Sequence, residues 1–477
     1  MLVDVEDPFI GIEAHGFDKV GGLSGGGHWP LNPHRGGQRQ APRLRGRAPP
    51  LNPKPMKAIC HAAIALGLVM SAAAVNAQAI DPHVAARIDR ILKATPLIDG
   101  HNDLPEQLRE NHGSKVENLA SGTDSWTTKP LMTDMARLHA GRVGAQFWSV
   151  YIDAAIHGDE AIRQTIEQID IVTRLVAAYP RDLELATSAD DIVRIHKAGR
   201  IASLVGIEGG HQIGGSLAAL RQFYRLGARY MTITHFKTTD WADSATDDPK
   251  WGGLNDFGRA VIGEMNRIGM LVDLSHVSPE TMSDVLDVAK APVLFTHSDA
   301  RALADHPRNV PDDILRRIPA NGGVLMVNFY IGHLSEPYRL WSAAHAAEDA
   351  RLKSLFNGQP NRREAAQAEW DKANPPPSAT VALVADHIEH VARIAGYDHV
   401  GIGGDLDGIE INEAPAGMNS VAAYPLLFAE LIRRGWSDSN LAKLAGGNVL
   451  RVMRQAEAVA ASMKGQPASM AVLDPAR

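Results

Sequence analysis

A histidine and an aspartate two positions apart, His101 and Asp103, are the first residues of this chain whose spacing suggests chemistry. In an extended chain, side chains two residues apart point to the same face, so both can bind one metal ion. Imidazole nitrogen and carboxylate oxygen suit zinc, with manganese or cobalt as substitutes. Because His-x-Asp often arises by chance, the pair predicts a metal site only if further ligands join it.

Other polar residues of the same kind follow short apolar segments elsewhere in the chain. They are Glu208, His235, His276, His297 and Asp405. For any one of them, a buried histidine with a satisfied hydrogen bond or a helix N-cap is the usual alternative interpretation. For all of them together, that alternative requires the same coincidence at every segment. We therefore interpret the set as one functional site.

The apolar segments that precede these residues predict eight strands, which cover residues 96–99, 144–152, 201–207, 230–234, 270–274, 293–296, 323–328 and 400–403. Helical patterns, among them 160–178, 216–226, 258–268 and 380–395, lie between the strands. This alternation predicts a (β/α)8 TIM-like barrel, in which chemistry takes place at the C-terminal ends of the strands. Residues 335–379 are interpreted as a helical insertion after strand 7, which can reach the active-site mouth.

Convergence of so many neutral or anionic groups on one cavity requires positive charge. Three imidazoles and two carboxylates suffice for two metal ions if one carboxylate bridges them. Glu208 is the best candidate for the bridge, with His101, Asp103, His276 and His297 as the remaining ligands.

Composition excludes several other classes of protein. The formal net charge is −7, from 48 basic and 55 acidic residues, so the chain lacks the basic excess typical of nucleic-acid binding. The chain has one cysteine, Cys60, which permits neither an intramolecular disulfide nor a cysteine-based zinc site. Glycine-rich runs at 206–215 and 401–408 lack the Lys-Ser/Thr ending of a nucleotide-binding loop.

The first eighty residues differ in character from the rest. Residues 1–55 are rich in Gly, Pro and Arg, which predicts a disordered or non-native N-terminal extension. Lys57, an apolar run and the small residues ending at Ala79 then form the pattern of a signal peptide over 56–79. That run is too short for a stable membrane span. We therefore expect a periplasmic or secreted protein, translated from Met56, whose metal-dependent barrel covers 80–477.

Taken together, the motifs resemble the renal (membrane) dipeptidase family of zinc metallopeptidases. The resemblance rests on residues 97–105 (LIDGHNDLP), 206–209 (GIEG), 271–278 (LVDLSHVS), 296–298 (THS), 308–313 (RNVPDD) and 403–408 (GGDLDG). It extends over most of the chain, from about 96 to 455. The disulfides of the animal enzymes are absent, and the 335–379 insertion departs from the family pattern, which leaves substrate preference open.

The resemblance implies a role for each site residue. The metal ligands are then His101, Asp103, Glu208, His276 and His297, with Glu208 bridging two zinc ions and counted with the catalytic residues. His235 and Arg308 become substrate-binding residues, and Asp405 becomes the catalytic aspartate. The resemblance also implies a homodimer that cleaves a broad range of dipeptides, including those with C-terminal D-residues.

These residues suggest a mechanism for peptide hydrolysis. Two zinc ions held by these ligands would make a shared water nucleophilic enough to attack the peptide carbonyl. His235 hydrogen-bonds the oxyanion, and Asp405 takes the proton and passes it to the leaving amine. The planar guanidinium of Arg308 can bind a free C-terminal carboxylate, which explains a preference for dipeptides. The alternative for Arg308 is a surface ion pair with Asp312 or Asp313.

Two other functions are compatible with parts of this pattern. A binuclear amidohydrolase acting on lactams, cyclic amides or N-acyl amino acids would use similar ligands, because fold and metal site do not fix the substrate. Such enzymes often bridge their metals with a carboxylated lysine, and no lysine stands at a predicted strand end here. A binding or scaffold protein on a barrel without chemistry would be expected to lack a ligand, and every ligand position is filled.

Overall fold

Residues 80–473 are the part of the chain that the computed structural model describes. The extension predicted over 1–55 and the signal peptide predicted over 56–79 lie outside the described residues, so both stay predictions. The described strands are β1 (Leu97–Asn102), β2 (Val143–Tyr151), β3 (Leu183–Leu185), β4 (Ile201–Glu208), β5 (Ala228–Thr232), β6 (Leu271–Asp273), β7 (Leu294–Phe295), β8 (Val324–Val327) and β9 (Val400–Ile402).

Eight of these strands form a closed parallel barrel. β1 pairs with β2 and β2 pairs with β4, after which each strand pairs with the next one in sequence as far as β9. The barrel closes where Asp99 of β1 pairs with Ile402 of β9. The predicted (β/α)8 barrel is confirmed, and each predicted strand overlaps an observed one.

The ninth strand, β3, was missed by the sequence pattern. It pairs with the first residues of β4, from Leu183 opposite Ile201 to Leu185 opposite Ser203. β5 takes over the same edge of β4 from Val205 onward. A strand of three residues shows no readable periodicity, and its position depends on β4 being beside it.

Helices surround the barrel and alternate with the strands. They are α1 (Pro82–Ala94), α2 (Leu104–Asn111), α3 (Met135–Ala140), α4 (Gly158–Ala178), α5 (Ala189–Lys197), α6 (Leu217–Arg225), α7 (Asp256–Ile268), α8 (Pro279–Val288), α9 (Asp312–Leu315), α10 (Ile318–Asn321), α11 (Ile331–Leu334), α12 (Glu336–Leu355), α13 (Pro360–Ala373), α14 (Val381–Ala395), α15 (Tyr424–Arg433), α16 (Asp438–Ala442) and α17 (Asn448–Ser462). No helix over 80–473 is both long and apolar enough to cross a membrane.

Local sequence explains where the predicted helices begin and end. The Asn255 side chain accepts a hydrogen bond from the Gly258 amide at the start of α7, and Ser216 does the same for Ala219 at the start of α6. Gly269 ends α7 with a φ of +85°, a left-handed conformation that glycine adopts without strain. These signals lie within a few residues of each boundary, and the sequence alone therefore reveals them.

The strand residues are buried on both faces, which is typical of a parallel barrel packed between its own interior and outer helices. All eight residues of β4 are buried, as are all six of β1. Packing is close enough to require glycine at particular positions. A Cβ at Gly206 would overlap the ring of Tyr230, and one at Gly403 would overlap the Thr296 carbonyl. Side chains from neighbouring strands can thus approach each other inside the barrel.

The insertion after the seventh barrel strand is helical, as predicted, and consists mainly of α12 and α13. These two helices contact each other through aromatic rings, with the centroids of His345 and Trp370 5.5 Å apart. Tyr338 and Leu352 are the buried residues of α12, whereas α13 has none. The insertion therefore adds little to the barrel core, and its expected reach to the active-site mouth stays a prediction.

Candidate active site

His101 and Asp103 lie together at the C-terminal end of β1. His101 is inside the strand, and Asp103 occupies the N-cap position of α2. Their facing atoms, His101 Nε2 and Asp103 Oδ2, are 3.3 Å apart. His101 Nε2 and Asp103 Oδ1 are buried and have no hydrogen-bond partner among residues 80–473. Buried polar atoms without hydrogen-bond partners destabilise the fold, so these two atoms are available to bind an additional group.

Glu208, the last residue of β4, lies between two sets of candidate metal ligands. Its Oε2 atom is 3.3 Å from His101 Nε2 and accepts a hydrogen bond of 3.1 Å from the Ser149 hydroxyl. Its Oε1 atom is 3.1 Å from His276 Nε2 and 3.3 Å from His297 Nε2. Each oxygen thus faces a different set of imidazoles, which is the geometry a bridging carboxylate needs.

His276 and His297 complete the second set of ligands. Their Nε2 atoms are 2.9 Å apart. Nδ1 of His297 lies 2.9 Å from the Thr296 hydroxyl, which donates to Asp273 at 2.7 Å. Because the Thr296 hydroxyl donates its hydrogen to Asp273, it accepts a hydrogen bond from the Nδ1–H of His297. The Nε2 atom of His297 then carries no hydrogen and has a free lone pair. Asp273 therefore orients His297 through Thr296.

The residues fit a pair of metal ions well. The groups His101–Asp103–Glu208 and Glu208–His276–His297 each bring their ligand atoms within 4.8 Å of one another, and they share Glu208. Carboxylates and imidazoles without thiolates suit zinc. The five ligands predicted from the sequence are all brought together.

Electrostatics also favour a cation at this position. Burial raises the pKa of the Glu208 carboxyl, despite the nearby charge of His101. Burial likewise lowers the pKa values of His276 and His297 well below the usual range, which keeps both imidazoles neutral and able to bind metal. At His101, burial opposes a charge, but Tyr230, Glu208 and Asp103 outweigh it and raise the pKa. Metal binding would replace that proton.

Asp405 enters the same cavity from the loop that follows β9. Its Oδ2 atom accepts a hydrogen bond of 2.9 Å from Asn328, and its Oδ1 atom is 4.0 Å from His101 Nε2. The backbone at Asp405 has a φ of +57°, an uncommon conformation that costs about 1–3 kcal/mol and often marks functional sites. Asp405 also groups with His101 and His297. It is thus close enough to the metal ligands to handle a proton there.

His235 lies beside the metal ligands but belongs to none of the three ligand groups. Its Nε2 atom is 3.5 Å from Glu208 Oε1, and its buried Nδ1 atom has no partner in the described part of the chain. Tyr151 and His276 flank its ring, at centroid distances of 4.5 and 4.3 Å. Burial lowers the pKa of His235 well below its usual range, so the ring is neutral and can donate one N–H to a ligand.

Arg308 is 1% exposed, which contradicts a surface ion pair with Asp312 or Asp313. It donates to the Ser298 hydroxyl at 2.8 Å and to the His297 carbonyl at 2.9 Å. Asp312 instead contacts His390 at 2.7 Å. Among residues 80–473 no carboxylate forms an ion pair with Arg308, and burial lowers the pKa of its guanidinium to about 10. At neutral pH Arg308 is a buried cation close to His276 and His297.

The chain is similar to known proteins over most of its length. The membrane dipeptidase family (peptidase family M19) matches the chain over residues 85–467. The chain belongs to the membrane dipeptidase family. The sequence-based resemblance is therefore confirmed, and the protein is a metallodipeptidase, a hydrolase of peptide bonds.

Individual relatives agree with this assignment. An uncharacterized dipeptidase of Schizosaccharomyces pombe is 40% identical over 391 residues, which cover 79% of this chain and 85% of that protein. Dipeptidase 3 of Rattus norvegicus is 40% identical over 393 residues, which cover 81% and 70% of the two chains.

Solved structures share the fold at lower identity. The probable dipeptidase PvdM from Pseudomonas aeruginosa aligns with a TM-score of 0.66 and 24% identity, over 80% of this chain and 100% of that chain. A metallopeptidase from Rhodobacter sphaeroides, solved with a phosphinate mimic of the dipeptide L-Ala-D-Ala, aligns with a TM-score of 0.62 and 22% identity, over 76% and 99%. Both likenesses support the barrel fold.

Several residues that support the site were missed from the sequence. Ser149 contacts Glu208, Asn328 holds Asp405, and the Tyr230 hydroxyl is 2.9 Å from Nδ1 of His101. Asn328 closes the seventh predicted strand, so its position at a strand end was an available signal. Ser149 and Tyr230 lie inside strands, and their partners lie 59 and 129 residues away, which no local pattern reveals.

We expect Tyr230→Phe to lower metal affinity by about 10- to 100-fold, the usual cost of removing an outer partner of a metal-binding histidine. The ligand form of His101 carries its proton on Nδ1, which the Tyr230 hydroxyl accepts. Competition with a chelator, read by elemental analysis, measures the change. Tyr179→Phe is the matched control, since its hydroxyl accepts from the Leu119 amide at 2.7 Å, away from the ligands. Equal affinities in both variants would contradict this role for Tyr230.

Proposed function

We propose that this metallodipeptidase uses two zinc ions to hydrolyse dipeptides that carry a free C-terminal carboxylate. One observation carries the substrate assignment. Arg308 is a buried cation that has no carboxylate partner among residues 80–473 and bonds to the carbonyl of the ligand His297. Asp405, Asp273 and Glu208 stabilise its charge from beyond ion-pair distance, so the direct partner that the guanidinium lacks can be an anionic group of the substrate.

The two ligand groups that share Glu208 would hold the zinc ions, one with His101 and Asp103 and the other with His276 and His297. When bound, zinc polarises the scissile carbonyl and makes water a nucleophile near neutral pH. The protein contributes a fixed arrangement of ligands, because Thr296 and Tyr230 hold the outer nitrogens of His297 and His101.

Asp405 and His235 would carry the proton transfer and the oxyanion contact. Asn328 occupies Oδ2 of Asp405, which leaves Oδ1 to take a proton from the attacking water and to pass it to the leaving amine. His235, neutral and outside the ligand groups, donates an N–H to the carbonyl oxygen as negative charge develops there. Proton transfer and the oxyanion contact both require a side chain close to the metal site, and Asp405 and His235 lie there.

Recognition through Arg308 also supports a broad substrate range. Arg308 reads a carboxylate and not the side chain of the C-terminal residue, so a D-residue at that position can present the same group. A longer peptide would place a neutral amide there and leave the guanidinium unpaired. We therefore expect dipeptides, including those with C-terminal D-residues, to be cleaved and tripeptides to be poor substrates.

A substrate panel tests this proposal on protein loaded with zinc. Dipeptides with an L- or D-residue at the C-terminus, tripeptides, lactams and N-acyl amino acids are compared by kcat/KM, and elemental analysis counts the bound metal. Cleavage of dipeptides with two zinc ions per chain supports the proposal. Cleavage of lactams or N-acyl amino acids, with dipeptides untouched, would favour the amidohydrolase alternative instead.

For Arg308→Ala we expect KM for a dipeptide to rise at least about 30-fold, because losing one partner of a buried charge pair costs about 2–5 kcal/mol. The turnover number should change less, since Arg308 lies outside the ligand groups. Steady-state kinetics separate the two effects, and thermal unfolding checks that the variant is folded. Arg316→Ala, at an exposed arginine near Asp312, is the control. An unchanged KM in Arg308→Ala would remove Arg308 from the substrate site.

Two further expectations belong to the same proposal. The family resemblance supports a homodimer, which light scattering on the purified protein can check. The pattern over 56–79 supports export to the periplasm or outside the cell, and N-terminal sequencing of the exported protein can check whether it begins near Ile80.

A further inference from the structure

Phe236 is an exposed aromatic residue beside the active site. It lies in the loop that follows β5, directly after His235, and it is 54% exposed. Its ring centroid is 3.9 Å from that of His235 and 5.3 Å from that of His276. No other phenylalanine among residues 80–473 is as exposed. Phe236 thus offers an apolar surface next to a candidate metal ligand, and the mechanism above does not use it.

Hydrogen bonds hold the loop around Phe236 in place. The Ser244 hydroxyl donates to the His235 carbonyl at 2.6 Å, and the Thr246 hydroxyl donates to the Phe236 carbonyl at 3.1 Å. The backbone of both loop residues is therefore tied to a neighbouring segment. The ring of Phe236 is fixed against the two histidines while much of it stays open to solvent.

The position of Phe236 distinguishes it from other exposed apolar residues, which are common on protein surfaces and usually need no partner. Its ring contacts the histidine that is expected to hydrogen-bond the reacting carbonyl. In such a bond the carbonyl oxygen lies about 3 Å from the donating nitrogen. Both side chains of a dipeptide begin only a few bonds from that carbonyl. A side chain of the size of leucine can therefore reach the Phe236 ring.

We propose that Phe236 is a specificity-determining residue that binds an apolar side chain of the dipeptide. This inference rests on the proposed dipeptidase function. Covering apolar surface releases water and stabilises the complex, and a methyl group covers far less of a phenyl ring than leucine does. The ring of Tyr151 also flanks His235, at 4.5 Å, so aromatic rings border this side of the site. The enzyme should thus favour large apolar side chains within the range that Arg308 allows.

The apolar side chain can come from either residue of the dipeptide. The N-terminal residue carries the carbonyl that His235 would contact, and the C-terminal residue follows directly after the scissile bond. Contact with the Phe236 ring has the same chemistry in both cases. The two sources differ in consequence, because each makes the enzyme selective at a different end of its substrate.

Kinetics of Phe236→Ala with three dipeptides test the inference and separate these sources. L-Ala-L-Ala has two small side chains, L-Leu-L-Ala has a large one on the N-terminal residue, and L-Ala-L-Leu has it on the C-terminal residue. For the wild type we expect a higher kcat/KM for a leucyl dipeptide than for L-Ala-L-Ala. In Phe236→Ala this ratio should fall about 10-fold, as is usual for the loss of an apolar contact of this size. The dipeptide whose ratio falls identifies the end that contacts Phe236.

Two further variants, assayed like the first with zinc loaded and bound metal counted, complete the comparison. Phe236→Leu keeps an apolar side chain and should recover part of the lost preference. Leu226→Ala is the matched control, because Leu226 is 46% exposed and precedes β5, at the opposite end of the strand from Phe236. Its replacement should leave the ratios between substrates unchanged.

The ratios between substrates distinguish a specificity role from a structural one. An equal loss of kcat/KM for all three dipeptides would mean that Phe236 only holds His235 in place, and this would overturn the inference. A wild-type enzyme without preference for either leucyl dipeptide, or unchanged ratios in Phe236→Ala, would overturn it as well. Failure of the wild-type enzyme to cleave any of the three would instead contradict the proposed function on which the inference rests.

Discussion

Replacing Glu208 by glutamine is expected to remove both bound metals from most of the protein and to abolish measurable turnover. Each oxygen of this carboxylate faces a different ligand group, so a neutral amide weakens both metal sites together. Loss of an outer partner alone costs about 10- to 100-fold in metal affinity, and loss of a shared ligand should cost more. Elemental analysis after dialysis, and dipeptide kinetics in excess zinc, measure the two effects.

Glu264→Gln is the matched control for this variant. Glu264 is a buried carboxylate bound by Arg221 and Arg267, 2.9 and 2.7 Å away, so its replacement should lower stability and leave the metal content intact. Thermal unfolding distinguishes a Glu208→Gln protein that is folded and metal-free from one that is unfolded. A folded Glu208→Gln variant that keeps two metals and normal turnover would show that Glu208 does not bridge.

Asp405→Asn should lower kcat by about 10²–10⁴-fold, the usual contribution of a general acid–base group, while the metals stay bound. Asparagine keeps the size of the side chain and tolerates the φ of +57° at this position, so the fold is expected to survive. The amide cannot take a proton from water at Oδ1. Pre-steady-state kinetics and elemental analysis of the same sample separate lost chemistry from lost metal.

Asp407→Asn provides a close comparison in the same loop. Asp407 is also buried and has a φ of +68°, but its Oδ1 atom accepts from the Met132 amide at 2.7 Å. Its replacement should therefore reduce kcat far less than replacement of Asp405. If Asp405→Asn loses metal along with activity, Asp405 is a third carboxylate ligand, which its grouping with His101 and His297 permits.

The barrel could be predicted from the sequence because the patterns that specify its strands and helices are local. Each predicted strand is a short apolar run between helical patterns, and each strand overlaps an observed one. Caps such as Asn255 and Gly269 set the helix ends within a few residues. The strand β3 could not be predicted, because its three residues gain their conformation from pairing with β4.

The candidate metal ligands could also be predicted from the sequence, for a related reason. In a parallel barrel every strand ends on the same face, so polar residues that follow strands must meet there. The identity and order of His101, Asp103, Glu208, His276 and His297 therefore predict a metal site from the sequence alone, and the structure brings these side chains together. The sequence also indicated Arg308 and Asp405 through the family resemblance.

Tertiary structure alone decided how these residues are held and what surrounds them. The contacts of His101 with Tyr230 and of His297 with Asp273 through Thr296 join strands that are distant in sequence. The burial of Arg308 likewise depends on the packing of neighbouring strands and helices. Residue type and spacing determine which chemistry is available. Tautomers, unpaired charges and shifted pKa values arise only from contacts across the folded barrel, because they depend on burial and distance in three dimensions.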